Sequence, residues 1–294
     1  MQMKNSILTL LALTTVLMLS TSFDFPEKRA WQLFDKNGQP VDYATMAEQL
    51  LEADVIFFGE LHNNAISHWL QLELTIDLYH VDTTALILGA EMFERDNQLI
   101  INEYLSGLIR ERDFESEARL WRNYRTDYKP LVSFAHEHGI PFIATNIPRR
   151  YAALVHARGF EGLEELSDEA KRYVAPLPVP YDPTLPGYAA MAGEGSPAMH
   201  AGPNLPKAQA IKDATMAWSI AEYWKPGQRF LHYNGSYHSD NDEGILWYLR
   251  HYKPGLNMMA ISTVEQSQVD QLDSTYIGRA DFVLVVNNRV TKTY

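Results

Sequence analysis

Hydrophobic residues in this chain follow two rhythms, short unbroken runs and longer amphipathic stripes, and the two alternate along most of its length. The unbroken runs are 55–58, 85–88, 142–144, 230–233 and 258–261, with a last one at 282–286. Apolar runs this short, bounded by turn residues, read as strands buried on both faces of a parallel sheet. Between them, helical patterns are expected over 43–52, 65–79, 207–224 and 245–251. The second carries Ile66, Trp69, Leu70, Leu72 and Leu74 as an apolar stripe. A further helical region spans about 97–138, with breaks near Gly107, Asp113 and Asp127. Gly139 suits a helix C-cap before a strand at 141–146, and Pro148 suits the first turn of the next helix. The alternation predicts an α/β fold: a three-layer sandwich with a mostly parallel mixed sheet flanked by helices.

Each of the first five runs ends in polar residues able to bind or react. They lead into Gly59-Glu60-Leu61-His62, Glu91, Thr145-Asn146, Gly235-Ser236-Tyr237-His238 and Ser262. In open α/β sheets the ligand crevice lies beyond the carboxyl ends of the strands. Glu60, His62, Glu91, Asn146 and His238 are therefore expected to share one rim. The two Gly-x-x-His tetrads are the sharpest feature. Glycine permits a sharp turn or a close approach, and the histidine beyond it offers an imidazole nitrogen. Two imidazoles and a carboxylate can hold a divalent ion, which makes His62, Glu91 and His238 candidate metal ligands. Without a metal, the same residues with Glu60 suit general acid–base catalysis. A single histidine at a strand end is more often a hydrogen-bonded structural residue, so the weight falls on the two tetrads together with Glu91.

Other polar positions carry two readings each. Asn146-Ile147-Pro148-Arg149 offers a polar side chain, a cation and free amides to a carboxylate or phosphate, or else a helix cap and a solvated arginine. Asp213 reads as an exposed acid on a helix. Trp121, Tyr124 and Tyr128 read as packing residues. Residues 174–206 form a proline-rich lid or loop, with Pro176, Pro178, Pro180, Pro183, Pro186, Pro197 and Pro203, in which no regular helix or strand is expected.

Composition narrows the function classes. A formal charge of −12 argues against generic binding to nucleic acid or anionic membranes. The absence of cysteine rules out disulfides, thiolate metal sites and a cysteine-borne lipid anchor. Lys4, the apolar stretch 7–19 and the small residues Ser20-Thr21-Ser22 predict a signal peptide over 1–22. The chain is thus expected to be exported, periplasmic or extracellular, with one α/β domain over 23–294.

Taken in order, Gly59-Glu60-Leu61-His62, Glu91-Met92-Phe93-Glu94-Arg95, Trp121-Arg122-Asn123-Tyr124, Asn146-Ile147-Pro148-Arg149, Asp213-Ala214-Thr215-Met216-Ala217 and Gly235-Ser236-Tyr237-His238 resemble the ChaN family. These are haem-binding uptake proteins related to Tiki and TraB, and the resemblance runs from about residue 55 to 262. It implies an α/β fold with a mixed sheet, a role in iron or haem acquisition, and haem as cofactor at a protomer interface, hence a homodimer. It also implies a tyrosine as iron ligand, which no motif places. Tyr181, Tyr188 and His200 in the proline-rich segment are the candidates, with Asn146 and Arg149 as further cofactor-binding residues. In Tiki relatives the tetrad histidines and a glutamate hold a divalent ion for peptide hydrolysis. Carried over by motif, that implies His62, Glu91 and His238, with Glu60 beside them, for a metal-dependent hydrolase as the alternative function.

Overall fold

A computed structural model of the chain describes residues 27–192 and 202–294. The signal-peptide expectation and His200 lie outside the described residues. The strands are β1 (Trp31–Asp35), β2 (Pro40–Val41), β3 (Val55–Glu60), β4 (Leu86–Glu94), β5 (Phe142–Asn146), β6 (Arg229–Gly235), β7 (Met258–Gln266) and β8 (Phe282–Asn287). The helices before β5 are α1 (Tyr43–Leu50), α2 (Ala65–Val81), α3 (Gln98–Leu105), α4 (Glu111–Glu117) and α5 (Lys129–His138). After it come α6 (Arg149–Arg158), α7 (Asp168–Lys171), α8 (Pro186–Ala192), α9 (Leu205–Tyr223) and α10 (Ile245–Tyr252).

All eight strands join one sheet in the order β2-β1-β8-β7-β3-β6-β4-β5. The six strands from β8 to β5 pair in parallel, and β1 at one edge pairs antiparallel with both β8 and β2. Strand alternation splits the apolar runs between two cores. Ile56 and Phe58 of β3 pack with α1 to α5 on one face, whereas Val55 and Phe57 pack with α8, α9 and α10 on the other. This is the expected three-layer arrangement of a mostly parallel sheet.

The layering also positions the site. Chains leaving β3 and β4 enter helices on the first face, while the chain leaving β6 enters α10 on the second. Strand β6 lies between β3 and β4, so connections diverge to both sides of its carboxyl end. Such a divergence opens a crevice where ligands bind in this architecture.

The structure departs from or adds to the expected pattern at three places. Strand β6 stops at Gly235, and Ser236–His238 forms a 3-10 turn. The proline-rich segment does contain a helix, α8, which starts at Pro186. Proline is favoured at a first helical position, where its missing N–H has no intrahelical acceptor anyway. The hairpin of β1 and β2 gave no clear apolar run because it lies at a sheet edge. Its turn is fixed by Asp35, whose carboxylate accepts the amides of Asn37 and Gln39.

Candidate active site and cleft

The strand ends bring Glu60, His62, Glu91, Asn146 and His238 to one cleft of about 950 Å³. Each is placed by a different local device. Glu60 ends β3, and its carboxylate is buried by donors from the first-face helices. Tyr128 donates its hydroxyl to Oε1 at 2.7 Å, and Gln71 donates Nε2–H to Oε2 at 2.7 Å. His62 Nδ1 lies 2.8 Å from the same Oε1. A carboxylate has no proton to give, so in the neutral ring Nδ1 carries the hydrogen and Nε2 keeps its lone pair. The backbone carbonyl of His62 is pinned by Asn123 Nδ2 at 3.0 Å, and the ring meets Trp121 edge-on at 4.9 Å.

Glu91 sits where β4 loses register against β5, an irregularity lying between Ala90 and Glu94. Such irregularities re-aim side chains at strand ends. Its Oε2 accepts the Gly235 amide at 2.8 Å, and Oε1 lies 3.3 Å from His238 Nε2. His238 Nδ1 lies 2.5 Å from Asp213 Oδ1, and Asp213 Oδ2 accepts the Tyr188 hydroxyl at 2.6 Å. Asp213 is fully buried on α9 and does not match its reading as an exposed acid. A helix packed hard against the sheet turned this residue inward.

The electrostatics of the two histidines differ. For His238, burial pulls the pKa down, but the carboxylates of Glu91 and Asp213 overcome it and push it up to about 10. The ring is therefore an imidazolium at neutral pH. For Glu91, burial favours the neutral acid, but the His238 charge prevails and holds the group well below the usual carboxylate range. For His62, burial again pulls downward, and the hydrogen bond to Glu60 with the charges of Glu91 and Glu60 outweighs it, for a net rise.

The glycines of both tetrads serve close approach. A Cβ on Gly59 would lie 2.8 Å from the Ile261 carbonyl oxygen and 2.9 Å from the Ser236 Cα. A Cβ on Gly235 would lie 2.9 Å from His62 Nε2 and 3.6 Å from Glu91 Oε2. Gly235 thus leaves the notch in which His62 Nε2 faces Glu91.

The donor set does not suit a resident divalent ion. Among the described residues no group of three or more His, Asp or Glu side chains is arranged to hold one. Both nitrogens of His238 are taken by carboxylates, and His62 Nδ1 by a third. Only His62 Nε2 remains for a ligand, so His62, Glu91 and His238 stand together yet do not fit a metal centre.

Of the cofactor-binding candidates, Arg149 and Asn146 line the cleft, whereas Tyr181 and Tyr188 do not. Tyr188 is buried with its hydroxyl committed to Asp213, and Tyr181 packs on Phe160 and Tyr188. Asn146 does not cap α6: it donates Nδ2–H to the Glu91 carbonyl at 3.0 Å, and among the described residues its Oδ1 has no partner. Lys212, Tyr237, Met191 and Tyr294, not singled out individually from the sequence, also line the cleft. Tyr237 lay inside a tetrad already noted, and Lys212 adjoined Asp213; Tyr294 had no signal. Trp121 and Tyr128 do pack as expected, but against site residues. Outside the cleft, Arg95 joins the end of β4 to α9 through Ser219 and Glu222.

The fold is that of a parallel-sheet α/β protein whose strand-end cleft is lined by acids, histidines and apolar walls. The chain belongs to the family described as haem-binding uptake, Tiki superfamily, ChaN, which it matches over residues 46–249. Its structure is similar to that titled cofacial heme binding to ChaN of Campylobacter jejuni. The TM-score is 0.67 at 16% identity, covering 90% of this chain and 100% of that one. It also resembles an erythromycin esterase in its open conformation, with a TM-score of 0.52 at 8% identity, over 90% of this chain and 100% of the other. These likenesses establish the fold alone. Among curated proteins, RETICULATA-RELATED 5, chloroplastic, of Arabidopsis thaliana is 28% identical over 149 residues, 47% of this chain. The chain spans only 20% of that relative's length. Among the described residues, no helix is long and apolar enough to cross a membrane.

Proposed function

We propose that this protein is an exported haem-binding component of an iron or haem uptake pathway, with the strand-end cleft as its haem site. Membership of a haem-binding uptake family supports the cofactor. The observation that carries the site is the chemistry of the cleft walls. Trp121, Ile147, Met191 and Leu205 offer apolar surface for a porphyrin face, while Arg149 and Lys212 supply cations for its two propionates. Among the described residues, neither cation has a hydrogen-bond or ion-pair partner of its own. A charge-assisted contact to a carboxylate there displaces no existing pair.

Phenolate ligation suits ferric haem. Tyr237 lines the cleft and is 37% exposed, and among the described residues its hydroxyl bonds only Met191 Sδ, at 3.5 Å. It is a better-placed ligand than Tyr188, whose proton is held by Asp213. A second protomer would cover the haem on its open side.

The test is a hemin titration of the purified full chain. A saturable Soret shift at one equivalent per chain is expected, weakened about tenfold or more by Arg149→Ala with Lys212→Ala, the scale of one lost charge-assisted contact. Tyr237→Phe should remove the spectral signature of a phenolate ligand. A wild-type protein that leaves the hemin spectrum unchanged refutes the reading.

A further inference from the structure

We infer that a second cavity, adjoining the strand-end cleft, binds a phosphoryl group carried as free phosphate or as a phosphate monoester. The cavity has a volume of about 580 Å³ and shares Trp121, Arg149 and Tyr294 with the cleft. Four arginines line it. Arg119 and Arg122 come from the loop between α4 and the π-helical turn at Tyr124–Tyr128, whereas Arg149 and Arg150 open α6. In a chain with a formal charge of −12, four guanidiniums around one cavity run against the composition.

The acids beside these arginines do not balance them. Asp96 pairs with Arg119 and also, at 2.6 Å, with Arg150, so one carboxylate serves two guanidiniums. Glu94 pairs with Arg119 at 3.1 Å. Both acids are largely buried, and they hold Arg119 and Arg150 against the cavity wall. The other two guanidiniums, of Arg122 and Arg149, have no hydrogen-bond or ion-pair partner among the described residues. Arg122 lies instead over the Tyr294 ring, 4.0 Å from its centroid. A ring contact orients a guanidinium without neutralising it. Two cations therefore face the cavity uncompensated.

That surplus selects a dianion, and the donor chemistry selects its kind. A carboxylate carries one charge, and a single guanidinium fork matches both of its oxygens. A phosphoryl group carries a charge of about −1.5 to −2 at neutral pH and presents three strong acceptor oxygens. It can thus engage the forks of Arg122 and Arg149 together. Trp121 gives the cavity an apolar wall for the organic part of a monoester. This reading does not depend on haem, because Arg122 does not line the cleft assigned to it.

The experiment is isothermal titration of the purified full chain, in phosphate-free buffer, with phenyl phosphate, inorganic phosphate and phthalate. Phenyl phosphate binds saturably at one per chain and weakens as NaCl is raised, as exposed guanidiniums require. Phthalate, with its two charges on separate carboxylates, binds more weakly. Tighter binding of phenyl phosphate than of inorganic phosphate assigns the monoester, and equal or weaker binding assigns free phosphate. Arg122→Ala lowers phosphoryl affinity about tenfold, the scale of one lost charge-assisted contact. The side chain is exposed and meets only the Tyr294 ring among the described residues, so the variant keeps the wild-type thermal midpoint and hemin titration. Absence of saturable binding by either phosphate, phthalate binding as tightly as both, or unchanged affinity in Arg122→Ala overturns the inference. A hemin titration that fails leaves these arms readable, so the two readings stand or fall separately.

Discussion

Two tetrads with the same Gly-x-x-His pattern have opposite fates in this molecule. In Gly59-Glu60-Leu61-His62, the histidine keeps one nitrogen free beside the cleft, and its own motif supplies the carboxylate that holds it. In Gly235-Ser236-Tyr237-His238, the histidine is 5% exposed and gripped from both sides by residues of β4 and α9. The glycines diverge as well: Gly59 is fitted against backbone, and Gly235 against the edge of an imidazole. One pattern thus yields a part-exposed imidazole facing the cleft and a buried cation. Burial and partners, rather than motif, assign the chemistry.

The largest expected effect comes from the buried cation. His238→Ala leaves Asp213 and Glu91 facing each other with no positive charge between them. Breaking a buried ion pair in this way costs about 3–5 kcal/mol, whereas His62→Ala leaves Glu60 with two donors and costs about 1 kcal/mol. Thermal denaturation of the two variants should show this order. Equal losses would break the comparison.

The glycines give the next contrast. Gly59→Ala drives a Cβ into the Ile261 and Ser236 backbone, which cannot rotate away, and should cost about 1–3 kcal/mol, the range for overpacking. Gly235→Ala meets a side chain that can swing, so its stability loss should be smaller. Its mark is a displaced His62 ring, visible as a changed His62 imidazole signal by NMR.

A pH series sharpens the same point. The His238 pKa is raised in the folded state from 6.5 to about 10. Its contribution to stability is therefore complete below pH 6.5 and declines as pH rises, until it is lost on passing about pH 10. Denaturant midpoints measured from pH 6 to 10 should fall for the wild type and fall less for His238→Gln. A smaller effect than at His238 is expected at Tyr128→Phe. It removes one hydroxyl donor from Glu60, worth about 1.5 kcal/mol, the low end for a charged acceptor.

Much of the architecture was legible because buried parallel strands leave a coarse signal. Short continuous apolar runs such as Val55–Phe58, bounded by turn residues, read as strands covered on both faces, and five of them marked the sheet and its rim. The rim residues Glu60, His62, Glu91, Asn146 and His238 followed from position at strand ends. Edge elements were less visible, since β1 mixes buried Leu33 and Phe34 with half-exposed neighbours. Helix α8 escaped because proline density masks a short helix that begins on one of those prolines.

The sequence by itself determined which strand-end residues reach the cleft, because strand period and strand ends are local properties of the chain. Only tertiary structure decided what each does there. Asp213 looked like a surface acid until α9 was packed against the sheet, and only then did His238 acquire two carboxylates and lose both nitrogens. Tyr188 looked like a ligand until its hydroxyl met Asp213. A side chain's charge state and free valences depend on groups distant in sequence, and those meet only when the layers close.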